Sequence, residues 1–271
     1  MHQLTCSIVL YKTNEDDLRQ TLNSVLQTNL GIKLYLIDNS PFDELKKLCC
    51  DNSIEYIFNN NNLGFGKAHN ISLQKIINNS KYHLILNPDI KFSKGVLEDI
   101  YHFMEAHQEV GQLMPKVYYE DGNIQTLCHL LPRPIDLIAR RFFENNEWAK
   151  KLNDKYELKN FNYNECINIP NLSGCFMFLR AQALKKMGVF DERFFMYMED
   201  VDLTRRIHRF YKTLFYPFAA ITHGYEKESY SNSRLLKHHI ISAVKYFNKW
   251  GWLFDKERDR INDNILKTLY T

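Results

Sequence analysis

The chain has 271 residues, of which 45% are hydrophobic and 25% are charged, and this is typical of one globular domain that carries an insertion. The net charge is only +3, and residues 226–271 hold all of this excess, so the strongly basic surface of a nucleic-acid-binding protein is not expected. Six cysteines without a CxxC pair favour reduced thiols in a cytosolic protein, and no apolar run is long enough for a secretion signal or a membrane span.

Strands and helices alternate along the first part of the chain. The runs LTCSIVLY, IKLYLIDNS, IEYIFN, YHLILNPDI and GQLMPKVYY are short and apolar, which predicts buried strands. A helix is predicted to begin at the N-cap Asn14 and to end at Gly31, and two more are predicted over GKAHNISLQKIINN and KGVLEDIYHFMEAH. This alternation predicts an α/β fold with a mostly parallel sheet and helices on both faces.

Residues 120–168 break this alternation, and we interpret them as a partly helical insertion over the edge of the sheet. A strand over NLSGCFMFLR and a short helix over AQALKKMG follow. The next helix is predicted to carry Glu199 and Asp200 at its N-terminus. KTLFYPFAAITH is predicted to form two short strands around Pro217, the second of which ends at His223.

Polar side chains follow three of the predicted parallel strands. Asp38, the run Asn59 to Asn62, and the pair Asn87 and Asp89 each lie just past the C-terminus of a strand. Ligands of open α/β sheets bind beyond the carboxyl ends of the strands. The three clusters therefore predict a binding site at this edge.

Asn87-x-Asp89 supplies two oxygen-bearing side chains two residues apart, which suits a Mg²⁺ or Mn²⁺ ion shared with a phosphate. The plainer interpretation is a local turn in which both side chains bond to the backbone. His223 could complete such a metal site with Asp89, although a lone histidine is more often packed or solvated.

Glu199 and Asp200 are acids at a predicted helix N-terminus, where acids commonly do no more than stabilise the helix dipole. The functional interpretation is that one of them is a general base that takes a proton from a sugar hydroxyl.

The stretch NNNNLGFGKAHN leads into a predicted helix. Gly64 and Gly66 permit close backbone approach, and Lys67 with the first helical amides would attract an anion. The spacing does not match a dinucleotide fingerprint, and the GK[ST] of a P-loop is missing, so a dehydrogenase and a P-loop kinase are disfavoured.

The segment Arg234 to Phe254 is predicted to form an amphipathic helix with lysines among its polar positions. Such a helix could bind a membrane surface, pack back on the domain, or form a dimer contact. Its apolar side is predicted to contain Leu236, Ile240, Val244, Phe247 and Phe254, with Trp250 beside them.

Seven motifs in order resemble those of family 2 glycosyltransferases with the GT-A fold. They are SIVLYK, LIDNS, NNLGFGKAHN, LNPDI, LSGCFMFLR, FDERFFMYMEDVDLTRRI and ITH. The chain is most similar to the rhamnosyltransferase-like branch that builds bacterial surface polysaccharides. The resemblance covers Ser7 to about Tyr225 and implies a GT-A domain over 1–225, with the insertion on its acceptor side, followed by a helical extension over 226–271.

The resemblance also implies roles for individual residues. Asn87-x-Asp89 matches the DxD metal motif with its first Asp replaced by Asn, so that Asp89 would bind Mg²⁺ or Mn²⁺ on the diphosphate, and His223 would add a contact. Asp200 of the "ED" motif would be the base, with Glu199 beside it. The residues implied to bind the nucleotide sugar are Val9, Tyr11, Asp38, Asn39, Asn62, Gly64, Lys67, Asn70, Asn87, Ser173 and Gly174.

The implied activity is a metal-dependent, inverting transfer of L-rhamnose from dTDP-L-rhamnose. The acceptor would be a glycan or lipid-linked glycan in O-antigen, capsule or lipopolysaccharide synthesis, at the inner face of the cytoplasmic membrane. UDP-galactose or UDP-N-acetylglucosamine is an alternative donor. A sugar nucleotidyltransferase is disfavoured because SIVLYKTNEDD lacks a glycine-rich basic signature, and a non-catalytic sugar-nucleotide-binding module would bind donor without turnover.

Overall fold

The computed structural model describes residues 2–143, 145–224 and 233–270. The predicted domain boundary at Tyr225 therefore lies outside the described residues. Within these ranges the sheet strands are β1 (His2–Leu10), β2 (Ile32–Asp38), β3 (Ile54–Phe58), β4 (Ser80–Leu86), β5 (Ile90–Lys91), β6 (Val110–Tyr118), β7 (Cys128–His129), β8 (Ile167–Asn168), β9 (Asn171–Leu172), β10 (Phe176–Arg180) and β11 (Lys212–His223). The helices are α1 (Glu15–Leu26), α2 (Phe65–Ile76), α3 (Val96–Ala106), α4 (Pro134–Phe142), α5 (Glu147–Tyr156), α6 (Ala181–Met187), α7 (Glu199–His208), α8 (Ser233–Trp250) and α9 (Lys256–Tyr270), with a 3₁₀ helix at Glu44–Leu48.

The main sheet has the strand order β3-β2-β1-β4-β10-β6-β11-β5, with β8 also paired to β11. Strands β1 to β4 are mutually parallel, and β6 and β11 are parallel to each other. Strand β10 runs antiparallel between β4 and β6, so the sheet is mixed rather than wholly parallel. β7 and β9 form a separate two-stranded sheet.

Helices cover both faces of the sheet, as the sequence predicted. Helices α1 and α3 bury one apolar side in a core that includes Leu18, Val25 and Ile100. Helices α2, α6 and α7 pack on the other face through residues such as Leu73, Leu184 and Leu203. The predicted α/β fold class, with helices on both faces of a central sheet, is therefore confirmed.

Three predicted element limits are wrong. NLSGCFMFLR is not one strand, because it divides into β9 and β10, which belong to different sheets. Helix α1 begins after Asn14, whose side chain accepts hydrogen bonds from two amides, but it ends at Leu26 rather than at Gly31. KTLFYPFAAITH forms one strand, β11, and not two. Pro217 is accommodated because the register with β6 shifts between Tyr216 and Ala220, at a point where proline's missing N–H costs no ladder bond.

The C-terminal helices pack on the rest of the chain. Tyr246 and Phe247 of α8 and Ile261 of α9 join a hydrophobic cluster that also contains Met114 and Phe215 of the main sheet. The predicted apolar side packs only in part, because Ile240 and Val244 are 48% and 39% exposed. Helix α8 ends at Trp250, before Gly251 with its φ of +106°, and Phe254 beyond it is 91% exposed. No helix in the described ranges is both long enough and apolar enough to cross a membrane.

Candidate functional site

The predicted polar clusters do meet at one edge of the sheet. Because β1, β2, β3 and β4 run parallel, their carboxyl ends lie side by side. Asp38 ends β2, Asn59 follows β3, and Asn87 follows β4. The edge is closed on its other side by the N-terminus of α7, which carries Glu199 and Asp200.

The asparagine-rich loop before α2 is held together by its own side chains. Asn39 Nδ2 donates to the Gly64 carbonyl at 3.2 Å, and Asn39 Oδ1 accepts from Asn59 Nδ2 at 2.9 Å. Asn62 Oδ1 accepts a hydrogen bond from the Gly64 amide at 3.0 Å. These residues therefore shape the loop that places the start of α2 at the edge of the sheet.

Gly64 joins this loop to the segment before α7. Its φ is +83°, and a Cβ atom at this position would lie 2.1 Å from the Phe195 carbonyl oxygen. The next amide, that of Phe65, donates to the same oxygen at 2.9 Å. A glycine is required here both for the backbone conformation and for the close approach.

Asn70 and Lys67 lie on the first turns of α2 with different surroundings. Asn70 is 2% exposed, and its side-chain amide exchanges hydrogen bonds of 2.9 and 3.1 Å with the backbone of Phe190. Lys67 is half exposed, with Nζ 3.7 Å from Glu192 Oε2. Asn70 therefore fixes α2 to a neighbouring loop, whereas Lys67 stays accessible to an anion.

The residues predicted to hold the base and ribose also differ in exposure. Asp38 is fully buried, and its two oxygens accept hydrogen bonds from the Ser40 amide at 2.8 Å and the Tyr56 hydroxyl at 2.6 Å. Burial, and then the bond to Asp38, raises the pKa of Tyr56 well above its ordinary value. Val9 is partly buried, but Tyr11, just after β1, is 42% exposed and is the ring available to stack on a base.

Asp89, Asn87 and His223 come together after β4 and at the end of β11. His223 Nε2 lies 3.5 Å from Asp89 Oδ1 and 3.3 Å from Asn87 Nδ2. Gln125 orients the ring, since its Oε1 is 3.1 Å from His223 Nδ1 and its Nε2 donates to the His223 carbonyl at 3.0 Å. Asp89 Oδ1 is buried without a hydrogen-bond partner among the described residues.

This donor set suits a hard divalent cation. It offers a carboxylate oxygen of Asp89, an amide oxygen of Asn87 and an imidazole nitrogen of His223, and substrate phosphate would supply further ligands. Within the described ranges no three His, Cys, Asp or Glu side chains gather as a metal cluster, because the third member here is an asparagine.

Glu199 and Asp200 begin α7 but occupy different environments. Asp200 is partly exposed, and its oxygens accept hydrogen bonds from the amides of Gly174 at 2.9 Å and Val201 at 2.8 Å. Glu199 is 5% exposed, and its Oε2 has no hydrogen-bond partner among the described residues. Burial raises the pKa of both carboxyls, and the charge of Asp200 raises that of Glu199 further. Asp200 is therefore the member that a substrate can reach.

The segment Ser173–Cys175 links Asp200 to Asn87. The Gly174 amide bonds to Asp200, and the next carbonyl, that of Cys175, accepts from the Asn87 amide at 2.9 Å. Ser173 Oγ accepts from the Cys175 amide at 3.3 Å. Asp200 and the backbone of Asn87 are thus both hydrogen-bonded to one short segment.

Sequence reasoning missed several partners in this site. Gln125 lies in the insertion and has no motif around it, and Phe190 and Phe195 act through backbone atoms, which leave no side-chain signature. The one available signal was Gly64, because a glycine between a loop and a helix indicates an unusual conformation or a close contact.

A family model, glycosyl transferase family 2, matches residues 6–188. The N-acetylglucosaminyl-diphospho-decaprenol L-rhamnosyltransferase of Mycobacterium tuberculosis is 24% identical over 214 residues, which are 73% of this chain and 68% of that protein. The rhamnosyltransferase WbbL of Escherichia coli K12 is 22% identical over 267 residues, which are 94% of this chain and 97% of that protein. The low-salt glycan biosynthesis hexosyltransferase Agl10 of Haloferax volcanii is 24% identical, with 77% of this chain and 62% of that protein covered.

Solved structures share the fold at low sequence identity. GalNAc-T7, crystallised with UDP, GalNAc and Mn²⁺, superposes with a TM-score of 0.67 at 15% identity over 96% of this chain. The mannosyltransferase PcManGT of Pyrobaculum calidifontis, in complex with GDP-Man and Mn²⁺, superposes with a TM-score of 0.58 at 14% identity over 90% of this chain. The present chain spans 49% and 64% of these two proteins, respectively.

Proposed function

Because the chain belongs to glycosyl transferase family 2, we propose that it transfers L-rhamnose from dTDP-L-rhamnose to a glycan or lipid-linked glycan acceptor, with inversion at the anomeric carbon. The observation that carries this proposal is that one short segment, Ser173–Cys175, is hydrogen-bonded both to the Asp200 carboxylate and to the backbone amide of Asn87, two residues before Asp89. A base and a diphosphate site must flank the reacting carbon for a single displacement. The rhamnosyltransferase names of two relatives support the choice of donor.

Asp200 takes the proton of the acceptor hydroxyl as the oxygen attacks the anomeric carbon. The Gly174 amide fixes the Asp200 carboxylate at 2.9 Å, and the raised pKa of Asp200 makes it a stronger base than an ordinary aspartate. Glu199 is buried and its pKa is raised, which favours the neutral acid and leaves Asp200 as the charged member. The C–O bond to the diphosphate breaks as the new glycosidic bond forms.

The diphosphate would lie between the start of α2 and the Asp89 group. Lys67 and the first amides of α2 present positive charge to it. Asp89, Asn87 and His223 would hold Mg²⁺ or Mn²⁺, which when bound supplies Lewis-acid stabilisation of the leaving diphosphate.

The nucleotide and the sugar need a direct test, because a few pocket residues distinguish donors. UDP-galactose and UDP-N-acetylglucosamine are the alternative donors. A sugar nucleotidyltransferase and a non-catalytic sugar-nucleotide-binding module are weaker alternatives, because neither needs a base such as Asp200 on the acceptor side.

We also propose that the enzyme works at the inner face of the cytoplasmic membrane, where a lipid-linked acceptor would be available. Leu253 and Phe254, in the turn between α8 and α9, are 75% and 91% exposed and could enter a lipid interface. Vesicles with anionic lipid should co-sediment the wild type more strongly than the double variant Leu253→Ser/Phe254→Ser. Equal sedimentation of the two proteins would show that this turn is not a membrane contact. If the double variant were instead monomeric and the wild type dimeric, the turn would be a homodimer contact.

The activity is tested by incubating the protein with dTDP- and UDP-sugars, with and without Mn²⁺ or Mg²⁺, and measuring released nucleoside diphosphate. Metal-dependent turnover of dTDP-L-rhamnose is the expected result. Selective turnover of a UDP-sugar would show that this sugar, and not dTDP-L-rhamnose, is the donor. Because transferases can be silent without acceptor, calorimetric titration with the same donors follows. Failure to bind any of them would overturn the transferase proposal.

A further inference from the structure

Helix α7, which carries Glu199 and Asp200, is preceded by two residues with unfavourable backbone conformations. Tyr197 and Met198, immediately before Glu199, have φ values of +68° and +66°, and the side chain of Met198, the N-cap residue, makes no capping hydrogen bond. Left-handed non-glycine residues are strained, and they persist only where surrounding contacts enforce them. The position of Asp200 therefore depends on contacts from elsewhere in the chain.

The C-terminal helices supply these contacts through Asp202, one turn into α7. Asp202 is fully buried, so its charge requires partners. Its Oδ1 accepts hydrogen bonds from Trp250 Nε1 at 2.8 Å and from Lys249 Nζ at 2.7 Å. Its Oδ2 accepts one from Arg206 on the same helix at 2.9 Å. Two of the three donors thus come from the last turn of α8.

Arg205 makes a second buried attachment to the same region. It is 1% exposed and forms a bidentate pair with Asp255, with distances of 2.7 and 2.8 Å. Glu257 accepts a further bond at 3.0 Å, and the guanidinium lies 4.0 Å from the centre of the Trp250 ring. Bidentate pairs and stacked rings fix orientation as well as distance, so α7 is held in rotation and in position.

Helix α8 also holds the loop that precedes α7. Ser242 Oγ donates to the Met196 carbonyl at 2.7 Å, and Lys245 Nζ donates to the Arg193 carbonyl at 2.6 Å. The same loop contains Phe195, whose carbonyl contacts Gly64 at the start of α2. Helix α8 therefore supports the loop that joins the proposed base to the nucleotide side of the site.

We propose that helices α8 and α9 form a clamp that positions Asp200, and that Trp250 and Asp255 are positioning residues for the reaction. This inference rests on the proposed function only in taking Asp200 as the base. Polar residues of α7 that look like a solvated helix face in the sequence are in fact its buried attachment points.

The test compares Trp250→Phe with Trp252→Phe. The first removes the indole N–H that binds Asp202 but keeps an aromatic ring over Arg205. The second removes an exposed bond, from Trp252 Nε1 to Asn248 Oδ1 at 2.8 Å, which does not reach α7. We expect Trp250→Phe to lower kcat about 10-fold, because small displacements of a catalytic group are costly, while the KM for the donor stays within about twofold. Trp252→Phe should leave both values unchanged.

Amide hydrogen exchange of residues 197–203 gives a readout that does not need turnover. Faster exchange in Trp250→Phe than in Trp252→Phe would support the clamp even if no donor were turned over. The clamp and the proposed transferase activity can therefore be tested independently. Unchanged exchange and unchanged kcat in Trp250→Phe would overturn the clamp. If that variant does not fold, Lys249→Met removes the other bond from α8 to Asp202 and carries the same expectations.

Discussion

The backbone amide of Gly174 donates a hydrogen bond of 2.9 Å to Asp200 Oδ2, and this bond joins the start of β10 to the start of α7. The contact is tight, because a Cβ atom on Gly174 would lie 3.1 Å from Asp200 Cβ and 3.3 Å from Oδ2. The turn between β9 and β10 thus sets the position of the proposed base.

The first prediction concerns the identity of the base. Asp200→Asn should lower transfer at least about 100-fold, because the amide cannot accept the acceptor proton, while donor binding is retained. Glu199→Gln should keep activity within about tenfold, because Glu199 is buried with a raised pKa and glutamine imitates its neutral form. Initial rates and donor titrations of both variants give the comparison. The opposite pattern, with Asp200→Asn active and Glu199→Gln inactive, would exchange the two roles.

The second prediction follows from the Gly174 contact. Gly174→Ala should displace the Asp200 carboxylate by a few tenths of an ångström and lower kcat about 10-fold with little change in donor KM. Gly31→Ala is the matched control, since the nearest atom to its new methyl group would be 3.8 Å away. An unchanged kcat in Gly174→Ala, or an equal loss in the control, would argue that this contact does not position the base.

The meeting of the polar residues at one edge of the sheet was predictable, because it depends only on the alternation of apolar strands and helices along the sequence. The apolar runs of β1 to β4 give parallel strands, and parallel strands bring Asp38, Asn59 and Asn87 to the same edge. The antiparallel direction of β10 was not predictable, since an apolar run of five residues does not indicate whether its strand is parallel or antiparallel to its neighbours. The prediction of two strands around Pro217 was wrong because a register shift allows one strand to continue through the proline. Such a shift cannot be recognised from the sequence.

The sequence left the packing of the C-terminal helices on the domain as one of three alternatives, and it did not indicate their partners on α7. Asp202 and Arg205 have the spacing of a solvated helix face, and charged residues are seldom fully buried. They are buried because Trp250, Asp255 and neighbouring residues form a second layer over α7. Partners that lie about 50 positions away along the chain cannot be paired from helical spacing alone.

The third prediction concerns the metal. Asp89→Asn should raise the Mn²⁺ concentration for half-saturation at least about 10-fold, because it removes the carboxylate of Asp89 from the proposed ligands. Asn87→Asp should lower that concentration, because it restores a second negative ligand beside Asp89 and His223. Electron paramagnetic resonance of Mn²⁺ in the presence of dTDP measures binding without turnover. Asp51→Asn, at an exposed position, is the control, and identical Mn²⁺ titrations of all four proteins would remove Asp89 as a ligand.

The fourth prediction concerns the junction at Gly64. Gly64→Ala and Gly95→Ala both place a methyl group at positive φ, +83° and +97°, but only Gly64 faces another atom within 4 Å. We expect Gly95→Ala to lower the free energy of unfolding by about 1 kcal/mol from backbone strain. Gly64→Ala should lower it by about 2 kcal/mol more and weaken donor binding, because the Phe195 carbonyl must move. Equal losses in urea titrations would show that the close contact adds nothing.

The fifth prediction concerns pH and a buried polar network beneath the site. His83 is fully buried, with Nδ1 2.8 Å from Thr5 Oγ1 and Nε2 2.8 Å from Ser7 Oγ, and burial lowers its pKa to about 3. The unfolded chain has the ordinary histidine pKa of about 6.5, so it binds the proton first as the pH falls. The stabilising contribution of neutral His83 is therefore complete above about pH 6.5 and is lost progressively between that pH and about 3, at up to about 1.4 kcal/mol per pH unit.

Replacement of His83 by Gln should make the free energy of unfolding less dependent on pH within this window, because the amide does not titrate. The difference in stability between wild type and variant should therefore shrink as the pH falls from 7 to 4. Thr5→Val is the control: it removes one hydrogen-bond partner but keeps the buried imidazole, so its curve should lie below that of the wild type and parallel to it. A curve for His83→Gln that is parallel to the wild type would show that His83 is not the group that titrates.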